Sequence, residues 1–306
     1  MKERSVSRTD GGESMKIPEL FRERREADKP VLSLEVSPPK RKKNKESIYH
    51  AVEKLKVTDP DFISVTYGAG GNIADNSTCE IAANIKKRYG IETVAHLTCI
   101  NSTREDVAVM IERFRDANIE NIMALRGDIV PGEDIQREFA HANELAIEVQ
   151  RKCSDDLEIL GACYPEGHYE SKSLEADIQN LKYKIGAGVR ALITQLFFDN
   201  SAFYQFIDMA RAGGINVPVS AGIMPIVKAS QIEKTVQLSG ASLPHKFTAM
   251  IADYEHDPEG LYEAGIQYAV EQCRDLLEHG VDGVHIYTMN DPTVAVRVWE
   301  GIKDLL

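Results

Sequence analysis

Residues 31–66 read VLSLEVSPPKRKKNKESIYHAVEKLKVTDPDFISVT. The stretch opens and closes on short β-branched and aliphatic runs, 31–36 and 62–66, and between them 47–56 repeats apolar residues at helical spacing. Both runs are apolar nearly throughout, which is how strands buried on both faces read. Strand, helix and strand in so short a span make one βαβ unit, the building block of parallel sheets.

The same alternation runs along the chain. Further strand-like runs fall at 93–98, 121–125, 158–164, 191–197, 217–223 and 283–288. Helical spacing recurs at 76–89, 104–117, 136–152, 174–185, 202–212, 229–238 and 259–278. Within 104–117, Val107, Ile111 and Phe114 share one face, and Glu105, Glu112 and Arg115 lie off it. The long interval before the last strand has room for an extra helix at 243–254. Strand followed by helix eight times predicts a closed (β/α)8 TIM barrel, and 306 residues exceed the roughly 250 that such a fold needs. An open doubly wound sheet is disfavoured because no Gly-x-Gly-x-x-Gly follows a strand. No Pro/Ser-rich linker divides the chain, so 15–306 is read as one domain. The polar stretch 1–14 lacks the apolar middle of a secretory signal and is expected to be disordered, with Met15 a second candidate start.

A net charge of −12 argues against a nucleic-acid partner, which needs a basic face. Any anionic ligand must then be met by local Arg, Lys, backbone N–H groups and helix N-termini. No apolar run approaches the ~18 residues of a membrane span. Five cysteines without a Cys-x-x-Cys pair predict a reduced, cytoplasmic protein with buried thiols and no metal site.

In a barrel of this kind, chemistry gathers where the strand C-termini converge. Glu35 ends the first run inside an apolar setting, where a carboxyl is expensive to ionise. It reads as a general acid or as a buried carboxylate paired to Lys or Arg. Asp128, after Arg126 and Gly127, reads as a carboxylate opposing positive charge or as a turn or helix cap, and Gly127 as a point where backbone approaches a ligand. The segment 66–71, TYGAGG, reads as a phosphate cradle or a flexible loop. His96 reads as a site residue or a hydrogen-bonded core histidine. The basic run of Lys40, Arg41, Lys42, Lys43 and Lys45 reads as an anion attractor or a solvated loop, and Arg22, Arg24 and Arg25 as a solvated helix face. Neither a His-x-His on the first strand nor a strand lysine is present, which disfavours a metal-dependent hydrolase or a Schiff-base aldolase.

In order, Glu35 with Pro38-Pro39, SVTYGAGG (64–71), HLTC (96–99), LRGD (125–128), YPEGH (164–168), TQLFFD (194–199), GIMP (222–225) and HIYTMN (285–290) resemble the methylenetetrahydrofolate reductase family in its short bacterial form. The resemblance extends over about 17–299. It implies an FAD-dependent enzyme that reduces 5,10-methylenetetrahydrofolate to 5-methyltetrahydrofolate in two half-reactions, with NADH or NADPH as donor. An alternative is a flavin-holding subunit fed with electrons by a partner protein. It implies a homo-oligomer without nucleic-acid or membrane partners. By carry-over, Glu35 is the acid that opens the folate imidazolidine ring to a 5-iminium cation, and Asp128 the carboxylate that stabilises the cation. Gln195 and Gln231 match folate-contacting positions. Thr66, Tyr67, Ala69, His96, Arg126, Gly127, Asp128, Ala140, Tyr164, His168, Ser171, Asp177, Asn180, Tyr183 and Lys184 match flavin-contacting positions. The chain departs from the family pattern where Val36 and Ser37 replace aromatics, where Asp291 stands in place of a substrate-binding Arg, and where Thr235 replaces a stacking aromatic.

Overall fold

The computed structural model describes residues 15–39, 45–67, 76–128, 138–153 and 156–306. The expected disorder of 1–14, the glycine-rich turn with Ala69, and 40–44 of the basic run lie outside the described residues. Eight parallel strands close into a barrel in sequence order, β1 through β8. They are β1 (Val31–Val36), β2 (Phe62–Val65), β3 (Glu92–Thr98), β4 (Asn121–Leu125), β5 (Glu158–Cys163), β6 (Val189–Thr194), β7 (Val219–Ile223) and β8 (Gly283–Tyr287). The outer ring holds α2 (Lys45–Leu55), α3 (Ser77–Tyr89), α4 (Arg104–Asp116), α5 (Ala142–Cys153), α6 (Leu174–Gly186), α7 (Asn200–Ala212), α8 (Ala229–Ser239), α10 (Pro258–Glu278) and α11 (Pro292–Glu300). The extra helix expected at 243–254 is α9 (His245–Asp253).

Strand periodicity sorts the side chains into two sets. Leu32, Leu34, Ile63, Val65, Ala95 and Leu97 face outward into a core shared with the helices. Val31, Phe62, Val94, Met123, Leu160 and Ala191 face inward and meet Ile17, Leu20 and Phe21 of α1 (Ile17–Glu26). That helix precedes β1 and plugs the N-terminal mouth. Asn121, inside β4, ties it down: its Oδ1 accepts from Ile17 N at 2.9 Å and its Nδ2 donates to Met15 O at 3.2 Å. All five cysteines are free and buried, as their count and spacing suggest. No helix among the described residues is long and apolar enough to cross a membrane.

Three expectations need correction. β6 begins at Val189 and ends at Thr194, against a predicted 191–197. A register shift opposite Ile159/Leu160 of β5 leaves Arg190 exposed between two paired residues, and its charge hides the true strand start from a hydropathy reading. The fifth helix starts at Ala142 rather than 136, because 138–141 form a turn in which Phe139 is buried and Glu144 Oε2 accepts from Ala140 N. Arg24 is no solvated residue: it pairs with the buried Asp61, whose other oxygen accepts from Leu32 N at 2.9 Å. Its position on a charged helix face concealed a partner 37 residues away.

Asn121→Ala orphans the buried Ile17 N–H and the part-buried Met15 carbonyl, at a cost of about 1–3 kcal/mol. Chemical denaturation measures the loss, and hydrogen exchange is expected to show the α1 amides losing protection ahead of the strand amides.

Candidate active site

Moving up the barrel, the inward-facing residues change from apolar to polar. Above Val31 and Phe62 come Ser33, Ser64, Ser220 and His285, all essentially inaccessible. Above these, Glu35 of β1 reaches the mouth with 17% of its side chain exposed. Its Oε2 lies 3.7 Å from His96 Nε2 of β3 and 3.9 Å from His285 Nε2 of β8. Among the described residues no Lys or Arg makes an ion pair with Glu35. Burial, opposed by Glu35, pulls His96 below its ordinary histidine value, so the imidazole stays neutral, and its Nε2 has no hydrogen-bond partner. Tyr287 completes this layer. Burial first, then the Glu35 carboxyl, push its phenol well above its usual range, and its Oη donates to Thr194 O at 2.7 Å. The ring lies across Gly222, where a Cβ would collide with the Thr194 carbonyl and with the ring itself.

Thr66 and Tyr67 leave β2 on the same rim. Thr66 N donates to Val36 O at 3.0 Å, and Tyr67 packs against the outer core. Asp128 lies exposed just past β4. Gly127 beside it has φ +86°, and a Cβ there would press on Thr98 at 3.0 Å. Just past β3, Cys99 N and Ile100 N both donate to Arg126 O, so the backbone beside this glycine is held close to the end of β3.

A cavity of about 400 Å³ opens beside β4, β5 and α6. Arg126, Tyr164, His168, Ser171, Asp177, Asn180, Tyr183 and Lys184 all line it, eight positions that the sequence scattered over 59 residues. Ala140 does not line it, although the adjacent His141 and Ala142 do. Lys184 Nζ donates to Ala162 O at 2.9 Å, and burial lowers its ammonium, with Cys163 and Asp177 opposing. Burial also opposes the Arg126 charge, yet hydrogen bonds to Glu170 and Tyr169 hold its guanidinium above the ordinary value. The His168 ring stacks on Tyr169 at 4.4 Å and meets Tyr164 edge-on at 4.8 Å. Arg126 and Lys184 share the recess with the Glu170 and Asp177 carboxylates and with the Tyr164 and His168 rings, so it offers both charged donors and aromatic surface to a ligand.

Gln195 is the first residue beyond β6, its Oε1 accepting from Leu196 N. Gln231 stands apart from that cavity. It sits in the first turn of α8, accepts from Val227 N at 2.9 Å, and lines a second recess of about 290 Å³ with Pro225, Lys228, Tyr287 and Met289. Asp291 caps α11, accepting from Thr293 N and Val294 N.

A family model described as methylenetetrahydrofolate reductase matches residues 20–303. The chain belongs to the methylenetetrahydrofolate reductase family. The 5,10-methylenetetrahydrofolate reductase of Pectobacterium carotovorum subsp. carotovorum is 35% identical over 259 residues, 85% of each chain. That of Escherichia coli (strain K12) is 32% identical over 259 residues, 85% of this chain and 86% of the relative. Methylenetetrahydrofolate reductase (NADH) 1 of Arabidopsis thaliana is 32% identical over 297 residues, and here the chain spans only 50% of the relative's length. Among solved structures, a Clostridium thermocellum protein described as binding two copies of 5-methyl-5,6,7,8-tetrahydrofolic acid superposes with a TM-score of 0.63 at 14% identity, covering 94% of this chain and 100% of its own, which shows a shared fold.

From the sequence alone, neither Ser33 nor Tyr169 and Glu170 are singled out, and Ser64 and His285 enter only within longer motifs, without a role. Each gains its meaning from a partner on another strand or turn. Gly222→Ala is expected to overpack the Tyr287–Thr194 contact and cost about 1–3 kcal/mol in chemical denaturation.

Proposed function

We propose that this chain reduces 5,10-methylenetetrahydrofolate to 5-methyltetrahydrofolate, with FAD as its redox cofactor and NADH or NADPH as the electron donor. The observation that carries the reading is the setting of Glu35: a carboxyl at the barrel mouth, faced among the described residues by imidazoles rather than by Lys or Arg. Family membership supplies the substrate class.

Opening the substrate's imidazolidine ring to a 5-iminium cation breaks the bond between the bridging methylene and N10. The electron pair of that bond goes to N10, which then takes a proton. Glu35, at the rim, is the carboxyl that supplies that proton. Asp128, on the same rim, places a negative charge where it stabilises the cation. Gln195 and Gln231 supply amides for the pterin and its surroundings.

The cavity beside α6 suits FAD by the chemistry of its donors. Arg126, Lys184 and His168 face the anionic part, Tyr164 and His168 offer aromatic surface, and Ser171, Asp177, Asn180 and Tyr183 line the remainder. When bound, the flavin supplies a two-electron hydride store between donor and folate. Lys228, an exposed cation in the second recess, suits a carboxylate tail there.

A purified sample is expected to be yellow, to bleach anaerobically with NADH or NADPH, and to recolour with methylenetetrahydrofolate. Bleaching only in the presence of a partner protein would transfer the donor role to that partner. Glu35→Gln should keep its flavin and its reduction by the donor while losing folate reduction by more than about 10⁴-fold, beyond the usual ~10²–10⁴ for an acid because ring opening feeds the hydride step directly. Full folate turnover in that variant would remove Glu35 from its role. Asp128→Asn should slow the folate half-reaction more than the donor half-reaction in stopped-flow traces, and equal slowing would refute a cation-stabilising role.

A further inference from the structure

We propose that Glu170 competes with the cofactor for Arg126: its carboxylate sits on the guanidinium that the anionic part of FAD would take, and so sets how tightly the flavin is held; this rests on the reading of the recess beside α6 as the FAD site. All three guanidinium nitrogens of Arg126 are engaged. Nη1 donates to Glu170 Oε2 at 2.6 Å, Nη2 to Tyr169 Oη at 2.7 Å, and Nε to Gly127 O at 3.4 Å. The carboxylate and the phenol thus hold the two terminal nitrogens, which an arginine can otherwise turn to the oxygens of a phosphate. Glu170 lines the same recess as Arg126, so its charge faces whatever ligand the recess takes.

The contact is one that can open. The Arg126 side chain is 16% exposed and that of Glu170 40%. An ion pair so open to solvent is worth little, since water takes over both charges when it parts. The backbone beneath it is fastened: Ser171 N donates to His168 O at 2.8 Å, and Glu170 N donates to His168 Nδ1 at 3.2 Å. Glu170 can therefore leave Arg126 by rotating its side chain, with the 168–171 turn in place. After release its carboxylate still stands on the wall of the recess, where like charge opposes a bound anion.

The other charged groups around the recess leave this role to Glu170. Asp177 is buried, and its Oδ1 accepts from Ser171 Oγ at 2.8 Å. Lys184 Nζ is turned to Ala162 O. His168 is lowered by burial, with Glu170 opposing, and its Nδ1 accepts from Glu170 N, so the ring is neutral and adds no charge to hold the carboxylate. Among the described residues the cation bonded to Glu170 is Arg126, whose hydrogen bond keeps the carboxyl below the usual range.

Glu170→Gln tests this, at an exposed side chain whose neutral amide fits the same space. The flavin-loaded full chain is diluted, and the fluorescence of released FAD gives the dissociation constant. The variant is expected to hold FAD about tenfold more tightly, the scale of one like charge removed beside an anion. Riboflavin, which has no phosphate, should bind both proteins equally. Added NaCl should shrink the difference for FAD, because it screens the carboxylate. A mere repacking of the turn would move riboflavin as well and ignore salt. Unchanged or weaker FAD binding in the variant, or an equal shift for riboflavin, would overturn the proposal. If neither protein holds FAD, calorimetric titration with ADP decides. Tighter ADP binding to Glu170→Gln would then sink the FAD reading and leave the competition for Arg126 standing, and ADP indifferent to the substitution would end both.

Discussion

Hydrogen bonds between β8 and β1 close the barrel, and in doing so set Ser33 beside His285 and Glu35 beside Tyr287. The first and last strands are some 250 residues apart along the chain, yet this seam sets Ser33 and His285 side by side in the layer beneath the mouth. Asn290 fastens the seam above it, accepting from Ser37 N and donating to Ser37 O, both at 2.8 Å. Thr288 Oγ1 adds a 2.6 Å bond to Glu35 O, so the backbone that carries the acid is held from the neighbouring strand.

The interior is graded from bottom to top. At the N-terminal end, α1 seals a dry layer of Val31, Phe62, Val94, Met123 and Leu160. Above it, serine hydroxyls and two imidazoles occupy space that water does not reach, and buried polar groups in such a place are costly unless paired. Most of their pairing is internal to the seam. Among the described residues Ser220 Oγ and His96 Nε2 are left without a hydrogen bond, the latter a neutral imidazole nitrogen whose one approach is to Glu35. An unsatisfied buried polar atom beside an inward-facing carboxyl is what a site built for a reaction, rather than for stability, tends to contain.

Electrostatics divide the mouth. The chain is strongly acidic overall, yet Arg126 and Lys184 converge on the recess beside α6, and Lys228 stands over the recess beside β8. Glu35 and Tyr287 lie between, beside His96, whose imidazole is pulled below its ordinary value by burial. Local donors against a repelling background favour anions only where the cations are grouped.

Hydropathy period, turn chemistry and strand spacing are local properties, and they sufficed to read eight strands, their helices and the inserted α9 from the chain alone. The strand-end rule then picked out Glu35, Asp128, Arg126, Tyr164 and His168, and resemblance added Ser171 through Lys184, because those residues sit in runs with their own character. Folding alone decided which of them meet. It brought Lys184 and Arg126 to one recess, sent Gln231 to another, reassigned Gly127's missing side chain to a contact with Thr98, and took Arg24 out of solvent to Asp61. It also gave meaning to Ser33, Ser64 and His285, three unremarkable strand residues until β8 lies against β1. A side chain's type is written in one position of the sequence, but a hydrogen bond needs two, and the distance between partners is fixed only when the sheet closes on itself.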